Sequence, residues 1–326
     1  MPNYNGVWSL STQYQYAATW SGDNISPATA AGFAYVMGGA NASVSNITTI
    51  QKFDIASTGN ASDFASLDTT REGIALASST RGVIASDTTG SRSNEIKFFV
   101  LAAGGTTQDF GDLTANTPNE PGSAASSTRG LIMGGQNTSN TIDYITIATE
   151  GNAQDFGNLT IACNQTTGCA STTRAVRGNG IEAASPYFTN VMDYVTIANT
   201  GNAADFGDLT RKCQWARASS NSTRGLFAGG NNEGNSLSNV IEYITIANTG
   251  NSTDFGDLSA AKKNAGTATN STRAVFAGGY TGSTGVNVIE YVTIGTTGNV
   301  TDFGDLTLGM ADTRSTVSGS HGGIAA

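Results

Sequence analysis

Short runs in which apolar and polar residues alternate with a period of two recur along this chain. The clearest is VIEYITI at residues 240–246, whose β-branched and aromatic residues predict a half-buried strand. Three other kinds of run accompany it in a fixed order. A small polar run comes first, as in RASSN at 217–221. An apolar run follows an Arg and ends in paired glycines, as in STRGLFAGG (222–230), STRAVFAGG (271–279) and STRGLIMGG (127–135). VIEYITI is third. DFGDL (254–258) is fourth, reached through Thr-Gly-Asn, whose Gly and Asn tolerate the positive φ of a tight hairpin. Four strands therefore make one unit.

The unit is copied. Asn239–Leu258 returns at Asn287–Leu306, Asn190–Leu209 and Asn140–Leu159, then in worn form at Asn94–Leu113 and Asn46–Leu67. The aromatic of the fourth run stands at Phe64, Phe110, Phe156, Phe206, Phe255 and Phe303, at spacings of 46 to 50 residues. That period with Gly-rich turns predicts an all-β propeller of four-stranded blades. The first run is small wherever the innermost strands would crowd the axis: Ala124-Ala125, Cys169-Ala170, Ser219-Ser220 and Ala268-Thr269, with Leu76 the larger exception.

Seven second strands can be traced if His321 begins the last, and seven fourth strands if Trp8-Ser9-Leu10 is one; the third appears six times. The expectation is one domain over 1–326 with about seven blades. Its short last blade would combine a closing strand in residues 1–10 with C-terminal strands within 310–326 (Arg314–Ser318 and His321–Ala325). Six blades with overhanging ends is the alternative. An open edge on the short blade would accept a strand from a partner.

The order small strand, Gly-Gly strand, Tyr strand, aromatic-x-x-Leu strand resembles the kelch repeat of kelch and galactose-oxidase-type propellers. Gly229-Gly230, Tyr243, Phe255 and Leu258 stand in the kelch positions, with Phe for the usual Trp. The fold this implies is a kelch-like β-propeller. The phrase YITIxxTGNxxDFGDLT also resembles repeats in virion structural proteins of tailed marine phages of the cyanophage type. That likeness implies a virion protein made in the host cytoplasm, with other virion proteins or a host surface glycan or receptor as partners, and symmetry within a particle as one oligomeric arrangement.

Composition sharpens the picture. Charged residues are 13% of the chain, hydrophobic residues 38%, and 41 residues are Gly, a balance that disfavours helices. A net charge of -9 argues against nucleic acid and anionic membranes as partners. No apolar run approaches the ~20 residues of a membrane span, and the N-terminal residues do not read as a signal peptide. Cys163, Cys169 and Cys213 form no CxxC and there is one His, so reduced thiols and no metal or cofactor are expected.

Candidate chemistry divides into repeated and unrepeated residues. Arg81, Arg129, Arg174, Arg224 and Arg273 recur in register, as do Phe110, Phe156, Phe206, Phe255 and Phe303 and the flanking aspartates. A catalytic pair needs one tuned environment, so recurrence points to structure. Galactose-oxidase copper chemistry needs two His ligands, and GxSxG, HExxH and GxxxxGK[ST] are absent, so no catalytic residue is assigned. The loops that differ between copies carry Tyr14, Tyr16, Tyr187, Phe188, Trp215 with its neighbour Arg217, and Tyr280. These are the candidate binding residues, since aromatics on divergent loops stack on sugars or anchor protein contacts. Trp20 is a candidate axial plug. The resulting expectation is a non-enzymatic structural or attachment protein on a phage tail, fibre or capsid surface. Its alternatives are a carbohydrate-binding propeller outside a virion or, third, a propeller enzyme.

Overall fold

The computed structural model describes residues 32–40, 47–70, 73–87, 93–115, 120–135, 138–182 and 187–324. The architecture is all-β, with no helix among these residues. Most strands fall into six antiparallel groups of four, two of which join edge to edge into one eight-stranded sheet; Cys163–Asn164 adds a fifth strand to another, and Cys213–Gln214 pairs with Asn231–Asn232 as a separate ribbon. From inner to outer strand, sheet 1 comprises Thr316–Ser318, Phe33–Met37, Thr49–Asp54 and Ser62–Ser66. Sheet 2 comprises Ile74–Ala77, Arg81–Asp87, Ser93–Val100 and Gly104–Asp112, and sheet 3 Gly122–Ala125, Arg129–Met133, Thr141–Thr146 and Gln154–Asn158. Sheet 4 comprises Thr167–Ala170, Arg174–Glu182, Phe188–Thr196 and Ala204–Asp208. Sheet 5 comprises Arg217–Ser220, Arg224–Ala228, Val240–Thr245 and Thr253–Asp257, and sheet 6 Gly266–Thr269, Arg273–Ala277, Val286–Thr293 and Thr301–Met310. Each inner strand packs beside the next, and Thr316–Ser318 contacts both the sheet 6 and the sheet 2 inner strands, so the inner strands close a ring.

The core lies between sheets. Leu226 and Ala228 of sheet 5 pack with Phe276 and Val292 of sheet 6, while the alternate Phe227 packs with Val176 and Met192 of sheet 4. Both faces of each sheet are thus covered by neighbours. In every sheet the register shifts by one residue between the third and outer strands, as at Ile241/Glu242 opposite Gly256 and Asp254. This bulge leaves Phe255 unpaired and 2% exposed, turned into the interface.

The repeated phrases join one sheet to the next. Gly298 and Val300, beside the Thr-Gly-Asn of sheet 6, donate their N–H groups to the carbonyls of Phe255 and Asp257 in the outer strand of sheet 5 (2.8 and 3.0 Å). Asn299 Oδ1 accepts from Asp257 N–H at 3.0 Å. The glycine of DFG is forced here: Gly256 has φ +150° and a Cβ would meet the Gly298 carbonyl. The same staple binds sheets 2–3, 3–4, 4–5 and 6–1.

Each repeated Arg works at the same junction. Arg224 stacks on Tyr243 of its own sheet (4.7 Å to the ring centroid) and donates to the Ile294 carbonyl of the next at 2.9 Å. Arg129, Arg174 and Arg273 do likewise on Tyr144, Tyr194 and Tyr291, and Arg81 on Phe98. The stacked ring meets the DFG aromatic edge-on, with centroids about 6 Å apart.

A buried side chain on the third strand completes the contact. Glu242 accepts from Thr210 N–H and Oγ1 (both 2.7 Å) of the preceding sheet's connection, and from Arg211 Nε at 2.8 Å. Asp143, Asp193, Glu290 and Gln51 take the equivalent place opposite Thr114, Thr160, Ser259 and Thr307. Asp193 and Glu290 are also paired with Arg177 and Lys262, as a buried carboxylate requires.

The junction of sheets 1 and 2 differs throughout. Phe33 stands where the Arg would be, and Tyr35 donates its hydroxyl to Leu101 O at 2.8 Å. Lys97 replaces the third-strand acid and faces Asp68 at 3.6 Å, with donor and acceptor exchanged. The outer strand of sheet 1 pairs in parallel with sheet 2 at Ala65↔Gly105 and Ser66↔Thr106.

The C-terminal expectation needs correction. Thr316–Ser318 pairs with Phe33–Met37, Tyr35 opposite Val317, and completes sheet 1, so no short seventh sheet with an open edge forms among the described residues. The chain's own segment satisfies the edge that a partner strand was expected to fill. His321 begins no strand. It lies in a turn across the axis, where Nε2 donates to Ala77 O at 2.7 Å and Nδ1 accepts from Gly323 N–H at 3.2 Å. Gly322 N–H donates to Ser220 O at 2.7 Å, so the segment bridges inner strands on opposite sides of the ring. Trp8 and Trp20, with their expected closing and plugging roles, lie outside the described residues.

Two predictions follow from these contacts. Gly250 and Gly256 share nearly the same φ (+152° and +150°), but a Cβ at Gly250 enters open space. Gly250→Ala should therefore cost ~1–3 kcal/mol of backbone strain, and Gly256→Ala roughly twice that because of the added clash. Urea unfolding midpoints of the two variants measure the difference, and equal midpoints would refute the staple. Second, burial holds the neutral His321 below its ordinary pKa of 6.5. The unfolded chain thus binds the proton first, so the contribution is complete above pH ~6.5 and lost as pH falls towards the folded value. Between pH 7.5 and 5 the wild type should lose stability with a slope approaching ~1.4 kcal/mol per pH unit relative to His321→Gln. Parallel curves would contradict it.

Candidate axial recognition site

Two residues before the inner strands of sheets 3 to 6 the chain turns in towards the axis. Glu120, Gln165, Trp215 and Asn264 occupy this position in sheets 3 to 6, and all four have left-handed φ between +53° and +58°. Non-glycine residues adopt this conformation at a cost of ~1–3 kcal/mol each, sustained by surrounding contacts and concentrated at functional sites. Those contacts run around the axis: Asn264 N–H donates to Trp215 O at 3.2 Å, Thr313 N–H to Asn264 O at 3.0 Å and Thr166 N–H to Glu120 O at 3.1 Å. Arg314, two residues before Thr316, holds the same place in sheet 1. In sheets 3 to 6 the backbone is one design repeated, with Glu, Gln, Trp and Asn as its side chains; Arg314 shares the place but not the left-handed φ.

These side chains converge into a charged network. Arg314 Nη1 pairs with Glu120 Oε1 at 2.5 Å, and its Nε donates to both oxygens of Asp312 at 2.8 Å. Trp215 Nε1 donates to the other Glu120 oxygen. Asn264 accepts from Arg217 Nη2 at 2.9 Å and donates to Asp312 at 3.2 Å. The ammonium of Lys263 sits 3.8 Å over the Trp215 ring and 5.5 Å from Tyr280. The guanidinium of Arg314, with help from that of Arg217, holds the Asp312 carboxyl below the usual range despite its burial. Burial and the nearby Arg314 lower Arg217 to about 10, so it stays cationic at neutral pH.

Below this mouth lies an axial cavity of about 90 Å³, lined by inner strands and reaching to His321. Hydroxyls knit its wall: Ser123 Oγ donates to Ala75 O, Ser220 Oγ to Ala170 O and Thr269 Oγ1 to Ser220 O, at 2.7–2.8 Å. Arg217 and Ser219 stand on alternate residues of one strand, and each has a buried polar atom, Nε and Oγ, with no hydrogen-bond partner in the protein.

Of the sequence candidates, the structure gathers Trp215, Arg217 and Tyr280 at this mouth. Tyr187 and Phe188 lie elsewhere, on the prolonged hairpin of sheet 4 opposite Glu182 and Ile181. Tyr187 is 57% exposed with φ +62°. Tyr14 and Tyr16 fall outside the described residues. Cys163, Cys169 and Cys213 are buried free thiols, the last two pushed up to about 12 by burial. Glu120, Lys263, Asn264, Asp312 and Arg314 were not anticipated. One signal was available for Glu120 and Asn264: nine residues before the repeat's Arg the copies carry Glu72, Glu120, Gln165, Trp215 and Asn264, whereas the Arg itself is the same in all five. Comparison with known proteins finds no matching family model and no similar curated protein.

Proposed function

We propose that the chain is a kelch-type β-propeller of six blades acting as a non-enzymatic recognition module, displayed on a phage particle. The six four-stranded groups, the ring of inner strands and the repeat of about 48 residues support the propeller reading. The virion setting rests on the resemblance of YITIxxTGNxxDFGDLT to phage structural repeats.

One observation carries the recognition reading. The repeated Arg, Tyr, Phe and Gly are engaged between sheets, while one strained backbone position at the axial mouth presents a different side chain in each of sheets 3 to 6. Trp215, Lys263 and Tyr280 form a cationic and aromatic surface there, suited to a sugar or a protein segment. The Thr-Gly-Asn hairpins on the opposite face are nearly uniform and engaged in junctions.

Trp215→Ala in the full chain should weaken binding to host surface glycans, or to a neighbouring virion protein, at least tenfold. Thr249→Glu, at a hairpin on the opposite face, should leave binding unchanged. A glycan array and pull-down from dissociated particles read the two variants. Equal loss in both, or no binding by the wild type to either class, would refute recognition at the mouth. Mass spectrometry of purified particles tests the setting, and absence of this chain from them would refute it.

A further inference from the structure

Arg217 is the one charged side chain of the axial cluster whose placement its protein partners do not explain. Both carboxylates of the cluster, Glu120 and Asp312, lie against Arg314. Arg217 is 6% exposed, donates to the neutral Asn264, feels Asp312 and Glu120 only at longer range, and keeps Nε without a partner. Among the described residues the mouth carries three cations, Arg217, Lys263 and Arg314, against these two anions. A buried guanidinium with unused donors is costly unless an acceptor completes it.

The surroundings of Arg217 supply the rest of a site. Ser219 Oγ, on the same face of the strand, is buried and unpartnered. The adjoining cavity of about 90 Å³ has room for a few water-sized groups. The walls at Thr167, Thr269 and Ser318 are polar. Uncharged occupants such as water would satisfy the hydroxyls but would add no charge-assisted bond to the unpartnered guanidinium N–H.

We propose that the axial cavity binds one small oxyanion, of the size of phosphate, sulfate or a short carboxylate, held by the Arg217 guanidinium and Ser219 Oγ. Arg217 offers a planar fork that matches two oxygens of such a group, and the serine hydroxyl donates to a third or to water beside it. The site is distinct from the aromatic surface proposed for recognition and does not rest on it. A bound anion would satisfy the buried donors of Arg217 and Ser219 on the inner strand of sheet 5 in the folded state alone, so its effect would appear as stability.

The test uses the full-length wild type dialysed extensively into a buffer whose only anion is bulky. Any small anion retained is measured by ion chromatography after unfolding. Either about one equivalent of oxyanion is released, or the stripped protein gains a saturable rise in Tm with inorganic phosphate that the bulky salt at equal ionic strength does not give. Arg217→Gln should abolish both signals, and Ser219→Ala, a milder change that leaves the fold intact, should weaken the apparent phosphate affinity at least threefold. Sulfate and acetate arms separate tetrahedral from planar preference. The proposal is overturned if no anion is released and all salts shift Tm equally, if chloride binds and phosphate does not, or if Ser219→Ala and Arg217→Gln both respond like the wild type.

Discussion

No sheet of this protein can stand without its neighbour, and that dependence organises the rest of the molecule. Each sheet carries apolar side chains on both faces, so both must be covered. Each sheet also ends in an outer strand with unpaired carbonyls, which elsewhere would invite edge-to-edge association. At five junctions both needs are met by one contact, in which the third-to-outer hairpin of the next sheet donates its N–H groups to the Phe and Asp or Asn carbonyls of DFGD or DFGN; between sheets 1 and 2 parallel strand pairing takes its place. Around a ring the requirement closes only when the last sheet finds the first. Gly59 and Ala61 of sheet 1 meet Phe303 O and Asp305 O of sheet 6 at 2.9 and 2.8 Å, which makes chain start and chain end interdependent.

Much of this was legible because a repeated contact leaves a repeated phrase. The four strands, their order, the small inner residues and the shared role of Arg and Phe could be read from the copies, since each copy faces the same neighbour. What the copies do not encode is which neighbour a residue serves. Thr-Gly-Asn reads locally as a tight hairpin, and its second role as a staple to the preceding sheet depends on a contact about 45 residues away. The third-strand acid was legible only as one polar position in an alternating strand. Its burial follows from Thr210 and Arg211, which arrive from the preceding connection.

The end of the ring was misread for a related reason. Thr316–Ser318 and the His321 segment share composition with ordinary copies, so strand counting assigned them a unit of their own. Packing decides otherwise. The second strand of sheet 1 would have an open inner edge without Val317 opposite Tyr35, and the Gly-rich residues after Ser318 are small enough to turn across the axis. Gly322 and Gly323 have no room for a Cβ against the backbones of Asn221 and Ala125. Small residues that look like a worn repeat are there because the axis is crowded.

Closure of the ring and assembly of the axial mouth are consequently one event. Asp312 and Arg314 lie immediately before the strand that completes sheet 1, so they reach the axis only when Thr316–Ser318 has docked on Phe33–Met37. Once there, Arg314 meets Glu120 from sheet 3 and Asp312 meets Asn264 from sheet 6, which in turn holds Arg217. A chain with that strand undocked would keep the five staples that do not involve it but lose the pairing of Glu120, and with it the partner that orients the Trp215 indole. The charges at the mouth cost desolvation that the apolar interfaces must offset. They stand where the ring's two ends meet, so a correctly closed ring and a formed recognition surface are the same state of the molecule.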